Sequence, residues 1–333
     1  YRMKSPIFFL AAILSLFVLT NGCSDAKSPE YTPAEGPLYT QWAAGVVPAT
    51  AWQEYPRPQM VREEWLNLNG MWDYAIVSND DTPESYDGQI LVPFPVESSL
   101  SGVGKRLDSN QAIWYRKEIG IPAGWSGKKT LLHIEASDWE TSLWVDGQLA
   151  GTHRGGYDPF TFDITDLVQA GAAHTLTLKV WDPTDDGYQP RGKQVRDPRG
   201  IWYTPSSGIW QTIWLEPVSE SYIKNFYLTT DIDEGKVWIR PDIENTGPDT
   251  EIELSVTGNG RQLVLSTFVP EEIMEISIPD AELWSPDHPH LYGLRMRLME
   301  NGEVTDQVDS YFGMRKISIV KDKQGYNRLA LNN

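Results

Sequence analysis

From about residue 51 onward, apolar and polar positions alternate with a period of two in short runs, and each run ends at a turn signal. Thr141-Ser142-Leu143-Trp144-Val145 runs into Asp146-Gly147, a pair that suits a tight hairpin because glycine accepts positive φ. In Thr175–Trp181, Leu176, Leu178 and Val180 alternate with Thr175, Thr177 and Lys179. Ile209–Leu215 is predicted as one short strand that stops at Pro217, where a ladder N–H is missing. A second series starts near Ser219. Ile252, Leu254 and Val256 alternate with Glu251, Glu253 and Ser255 before the turn Gly258-Asn259-Gly260. Glu272–Ile278 repeats the pattern, and Tyr292, Leu294, Met296 and Leu298 lead to a further hairpin turn at Asn301-Gly302. No stretch sustains a 3.6-residue apolar period. Many short strands at turn-separated spacing predict an all-β protein built from sandwiches, with a break near 217–222.

The chain has 333 residues, enough for two domains with their own cores. Its formal net charge of −18 repels phosphate backbones and acidic membrane surfaces, so nucleic acid is not expected as a partner. The 14 tryptophans are expected mostly in cores and on sheet faces, with a minority left for sugar faces. A single cysteine, Cys23, excludes intrachain disulfides and cysteine-rich metal sites. His288 and His290 flank Pro289 in a turn-like stretch and read as loop residues. HExxH, GxSxG and the phosphate-binding glycine loop are all absent from the sequence.

The first residues read as an address. Lys4 precedes the apolar run Ile7–Leu19, broken only by Ser15, and Thr20, Asn21 and Gly22 then lead to Cys23. The run is shorter than the roughly 20 residues of a membrane span and has the flanks of an export signal starting at Met3. Leu19–Cys23 resembles a bacterial lipobox, whose cysteine becomes the lipidated first residue; Asn21 departs from that pattern, and a plain secretion signal with an incidental cysteine is the alternative. Residues 1–22 are therefore read as a signal peptide and 23–50, polar and proline-rich, as a tether. The localisation implied is that of an exported bacterial lipoprotein, periplasmic or at the cell surface.

A series of stretches in order resembles family 2 of the glycoside hydrolases, the family of β-galactosidases, β-glucuronidases and β-mannosidases. Tyr55-Pro56-Arg57-Pro58-Gln59 and Trp65–Trp72 resemble the opening of its sugar-binding domain, and Val92–Ser98 its first loop. Trp114-Tyr115-Arg116, Leu143–Gly147 with His153–Thr165, and Gly208–Leu215 follow. Leu283-Trp284-Ser285-Pro286 with Leu291-Tyr292 resembles the family's immunoglobulin-like domain, and Phe312–Ile317 the strand that leads to its barrel. The likeness runs over about residues 52–333. It implies a jelly-roll-like (galactose-binding-like) sandwich over 51–218, an immunoglobulin-like sandwich over 219–313, and in 314–333 a lead-in to a (β/α)8 barrel that carries two glutamates for a retaining mechanism. The family's acid/base glutamate follows an asparagine, and no Asn-Glu dipeptide occurs here, so no catalytic residue is assigned to this chain and the chain alone is expected to be inactive.

The family's β-galactosidases place an asparagine five residues before the tyrosine of the first conserved strand and an aspartate on the loop after the long central strand. The matching positions are Asn110 and Asp185, which the resemblance implies as substrate-binding residues. An amide offers a diol both donor and acceptor, and a carboxylate accepts from a hydroxyl. Polar loop filler is the plain alternative for Asn110. Asp182, Asp185 and Asp186 could together give oxygen ligands to a cation, Na+ or Ca2+/Mg2+, although their spacing is not that of an EF-hand. The basic stretch Gln189–Gln194 could pair an acidic sugar through Arg191, or be a solvated loop. Asp138 and Glu140, two apart on a presumed strand, and His153 beside Gly155-Gly156-Tyr157 read as scaffold rather than catalytic groups. The partner expected is carbohydrate, with the membrane reached through a lipid anchor only; oligomeric state is left open. The sugar is also open, with a lean towards a β-galactoside. A free-standing carbohydrate-binding module and a cell-surface adhesion protein are the competing readings.

Overall fold

In the computed structural model, which describes residues 31–36, 39–270 and 272–333, the alternating runs become strands and no α-helix occurs among the described residues. The export signal and Cys23 lie outside the described residues. Two sheets make a first sandwich. One has six antiparallel strands in the spatial order Gly88–Val92, Gly70–Ser78, Gln111–Gly120, Ala173–Trp181, Glu140–Val145, Gln148–Arg154. The other has four, Leu66–Asn67, Ile213–Val218, Lys129–Ile134 and Phe160–Asp163. Their inward-facing residues, among them Trp72, Tyr115, Leu132, Leu143, Leu176, Leu178 and Ile213, form one buried cluster. A short ladder of Gly208–Ile209 with Ser137–Asp138 closes one end.

The second sandwich faces a three-stranded sheet (Tyr222–Asp231, Lys236–Glu244, Met274–Ser277) with a four-stranded one (Arg261–Phe268, Thr250–Gly258, Tyr292–Glu300, Glu303–Phe312). Ile239, Leu254, Val256, Met274, Leu294 and Met296 fill the space between them. Ile317–Lys321 and Asn327–Leu331 then pair as a separate hairpin. The all-β, two-sandwich architecture predicted from the alternation is the one found.

Three details differ from the sequence expectation. The strand predicted over Ile209–Leu215 is interrupted, because the Ala136 carbonyl accepts from both Trp210 N (3.2 Å) and Gln211 N (3.3 Å) and the ladder resumes only at Ile213. That strand also passes through Pro217 to Val218. Ile213 accepts from Leu68 N and donates to Asn69, so its backbone faces the Leu66–Asn67 side. Two-residue alternation puts Pro217 on that same side, beyond Leu66, where a ladder N–H has no strand to meet. Finally, the described part of the expected tether is structured from Pro33 on: Ala34 N donates to Ser99 O at 2.8 Å, Ala43 is buried, and 3-10 turns form at Ala43–Gly45 and Pro48–Thr50. Of the 14 tryptophans, Trp42, Trp52 and Trp202 are exposed, as expected for rings used mainly in packing.

Candidate functional site

The register of the six-stranded sheet decides which loops meet. Trp181, the last residue of the central strand, pairs with Ala112 on one side and with Glu140 on the other. The turn before Gln111, the segment before Glu140 and the long loop after Trp181 therefore leave the sheet at one end. Trp181 Nε1 donates to Ser109 O at 2.8 Å and fastens the first of these loops to the third.

Asn110 is exposed at this end, in the turn before its strand, and its carbonyl accepts from Asn79 N. Asp185 is half-buried on the loop beyond Trp181. The two loops are tied by polar contacts that the sequence did not announce. Ser109 Oγ donates to Asp186 at 2.8 Å, Arg196 Nε donates to Asp185 Oδ1 at 2.9 Å, and Arg196 Nη1 lies 3.4 Å from Ser109 Oγ. The hydrogen bond from Arg196 holds the Asp185 carboxyl below its ordinary range, so it is an anion at neutral pH. Among the described residues the Arg196 contacts fall on Oδ1, and Oδ2 is left to accept from a ligand hydroxyl.

Asp182, Asp185 and Asp186 do not converge on a shared cation position. Asp182 is buried and accepts from Thr184 N (2.6 Å), Thr184 Oγ1 (3.2 Å) and Ser207 Oγ (2.7 Å), while Asp185 faces Arg196 and Asp186 faces Ser109. The three carboxylates are engaged by separate protein donors, and among the described residues only Asp182 of the three has both oxygens taken. Asp138 and Glu140, expected on one strand face, belong to different sheets. Glu140 pairs with Arg154 at 2.7 Å, and buried Asp138 accepts from Gln194 at 3.1 Å. Gly156 must be glycine here, because a Cβ at that position would collide with the Asp138 carboxylate. His153 stacks on Phe160 with centroids 3.8 Å apart, a packing role.

Glu97 was not singled out from sequence, yet it joins this buried group. Its Oε2 accepts from Ser207 N at 2.9 Å and its Oε1 is buried without a partner. Burial, helped by the charge of Asp182, pushes the carboxyls of Glu97 and Asp138 each up to about 7. Only its place in the Val92–Ser98 stretch distinguished Glu97, since the burial arises where three loops meet. Asp138 is buried, and of Glu97, itself half-buried, the Oε1 atom is buried.

The basic stretch splits by side chain. Gln189 donates to Thr184 O at 2.8 Å and Gln194 reaches both Asp138 and Tyr157, so the glutamines clasp the loop. Lys193 lies over the Tyr203 ring at 5.8 Å. Tyr188, Trp202 and Tyr203 are exposed on the same loop, and Tyr157 is exposed on the turn between Gln148–Arg154 and Phe160–Asp163. The arrangement is a rim with an amide, an ionised carboxylate, cations and aromatic faces. It suits polyol binding.

Comparison with known proteins gives two family matches. Residues 51–215 match the sugar binding domain of glycosyl hydrolases family 2, and residues 221–315 match a second domain of the same family. A β-galactosidase from Thermoanaerobacter pseudethanolicus is 28% identical over 277 residues, 78% of this chain and 36% of that protein. A β-glucuronidase from Paenibacillus borealis is 24% identical over 286 residues, 80% of this chain and 47% of that protein. Among solved structures, the β-glucuronidase of Ruminococcus gnavus superposes with a TM-score of 0.66 at 18% identity, covering 83% of this chain and 49% of its own. The chain thus spans half or less of the length of these relatives.

Proposed function

The chain belongs to family 2 of the glycosyl hydrolases, and from that membership we propose that it is the sugar-binding and scaffolding portion of a retaining enzyme that removes terminal β-linked sugars, with β-galactosides as substrate. The observation that carries this reading is the meeting of the Asn110 turn with the Asp185 loop through Ser109, Asp186 and Arg196. Asp185, kept ionised by Arg196, accepts from a sugar hydroxyl through Oδ2, and the Asn110 amide offers both donor and acceptor to a neighbouring hydroxyl. The bond is broken by two carboxylates outside this chain, about 5–5.5 Å apart as retention requires. On this reading Glu97 and Asp138 hold loops and take no part in the chemistry. The export signal and Cys23 make the protein a lipoprotein acting in the periplasm or at the cell surface.

A panel of nitrophenyl glycosides, run on the 333-residue chain and on a full-length protein with the barrel, tests this. The chain alone is expected to release no nitrophenol. In the full-length protein Asp185→Asn should raise KM for the β-galactoside by about tenfold, the effect of losing a charge-assisted hydrogen bond. Turnover by the isolated chain, or an unchanged KM in the variant, would sink the reading. A β-glucuronide is the second reading, favoured by Arg191 and Lys193, which have no carboxylate partner within ion-pair distance among the described residues. Preference for the glucuronide, lost in Arg191→Ala, would select it.

A further inference from the structure

The connection between strands Met274–Ser277 and Tyr292–Glu300 carries Glu282, His288 and His290, far in sequence from the rim described above. Read as sequence, the two histidines are loop residues around a proline. The fold brings all three side chains to one point. His288 Nε2 lies 3.1 Å from Glu282 Oε2, and His290 Nδ1 lies 3.6 Å from the same oxygen. The third pair closes the triangle, with one ligand atom from each residue lying within 4.8 Å of the others. A tetrahedral zinc with bonds of about 2.0–2.1 Å has ligand-to-ligand edges of about 3.4 Å. The two measured edges fall on either side of that value.

The surroundings hold the three groups in place. Asn259 Nδ2 donates to Glu282 Oε1 at 2.5 Å and so turns Oε2 towards the histidines. Glu282 N donates to Tyr292 OH at 2.8 Å. Ser285 and His288 exchange backbone hydrogen bonds of 2.9 and 3.1 Å, which fix the turn. The His290 ring meets Tyr292 edge-on at 4.7 Å, and its Nε2 is buried without a partner, which leaves Nδ1 as the nitrogen available to a ligand.

We propose that Glu282, His288 and His290 form a binding site for a borderline transition-metal dication of the Zn2+ class. Two imidazoles and one carboxylate supply three ligands, and a fourth position stays open to water, since Glu282 and His288 are exposed. Two nitrogen ligands disfavour Ca2+ and Mg2+, which take oxygen. A bound ion would clamp the two ends of the 279–291 connection to each other, beside the turn at Asn259.

The test uses the 333-residue chain, purified without a histidine tag and stripped with chelator. Zn2+ is titrated by calorimetry, and Co2+ by the visible absorption of a four-coordinate ion. One ion per chain and a Zn2+-dependent rise in melting temperature are expected. His288→Ala, at an exposed position, should weaken Zn2+ binding by more than tenfold, and Glu282→Gln, which keeps side-chain shape, by a similar factor. Asn259→Ala, acting only through Glu282, should keep the stoichiometry and weaken binding about tenfold. Metal-free melting temperatures report whether each variant folds. Absence of stoichiometric binding, or Zn2+ affinity unchanged in both His288→Ala and Glu282→Gln, overturns the proposal.

Discussion

Single buried carboxyls set how this protein answers to pH. Glu97 and Asp138 are raised to about 7 from ordinary values near 4.5 and 3.8, so the folded state holds their protons more tightly than the unfolded chain. Their stabilising contribution is fully present below about pH 4 and is lost as pH rises through 7. Chemical unfolding should therefore show stability falling between pH 5 and pH 8, and Glu97→Gln should flatten that slope; an unaltered slope in the variant would assign it elsewhere. Glu216 acts in the opposite sense. Burial alone would raise it, but His133, Arg62 and Arg57 outweigh burial and hold it at about 2. Its contribution is present above about pH 4.5 and disappears only as pH falls through 2. None of these shifts was legible in the sequence. Each comes from burial and from neighbours far along the chain, more than a hundred residues away for Ser207 and Glu97 and for Arg62 and Glu216.

The elements were the most legible part of the chain. Asp146-Gly147, Asn259-Gly260 and Asn301-Gly302 all have positive φ at both residues, as hairpin turns that match strand twist require. Gly302→Ala should destabilise the second sandwich by about 1 kcal/mol, measurable as a shift in urea midpoint. Pro217→Ala, by contrast, should move that midpoint by less than about 0.5 kcal/mol, because the restored N–H points past the end of the neighbouring strand. A marked stabilisation by Pro217→Ala would show that a partner is present there after all. The alternation placed the strands correctly but missed the break at Trp210–Gln211, since the carbonyl of Ala136 that captures both N–H groups belongs to a segment about 75 residues earlier.

At the scale of the whole molecule, one arginine joins the two sandwiches. Arg62 is buried and bidentate to Asp306 at 2.9 and 2.8 Å, reaches Glu216 at 3.2 Å, and donates to Ile223 O at 2.7 Å. Asp306 in turn accepts from Ile223 N at 2.8 Å. Glu216 lies on a strand of the first sandwich, and Asp306 and Ile223 on strands of the second. The segment carrying Arg62 also pairs with the second sandwich through Val61 and Asp309, with mutual bonds of 2.8 and 2.9 Å. Arg62→Ala leaves the buried Asp306 without its bidentate partner and removes one of the three groups, with Arg57 and His133, that hold Glu216, and should cost about 3–5 kcal/mol. Calorimetry should then resolve two unfolding transitions in place of one. A single transition at the parental temperature would mean that Arg62 does not couple the sandwiches.

Local chemistry was enough for the sequence to determine the all-β class, the hairpins and the family likeness, because period-two alternation and Asn-Gly or Asp-Gly turns act between neighbours in the chain. The likeness also singled out Asn110 and Asp185, but not what surrounds them. Tertiary structure alone decided that Arg196 and Ser109 tie their loops together, that Asp182 turns inward to Ser207, and that Glu282, His288 and His290 share one point. Those outcomes depend on distances between residues remote in sequence, which strand register and loop packing fix only once the sheets have formed.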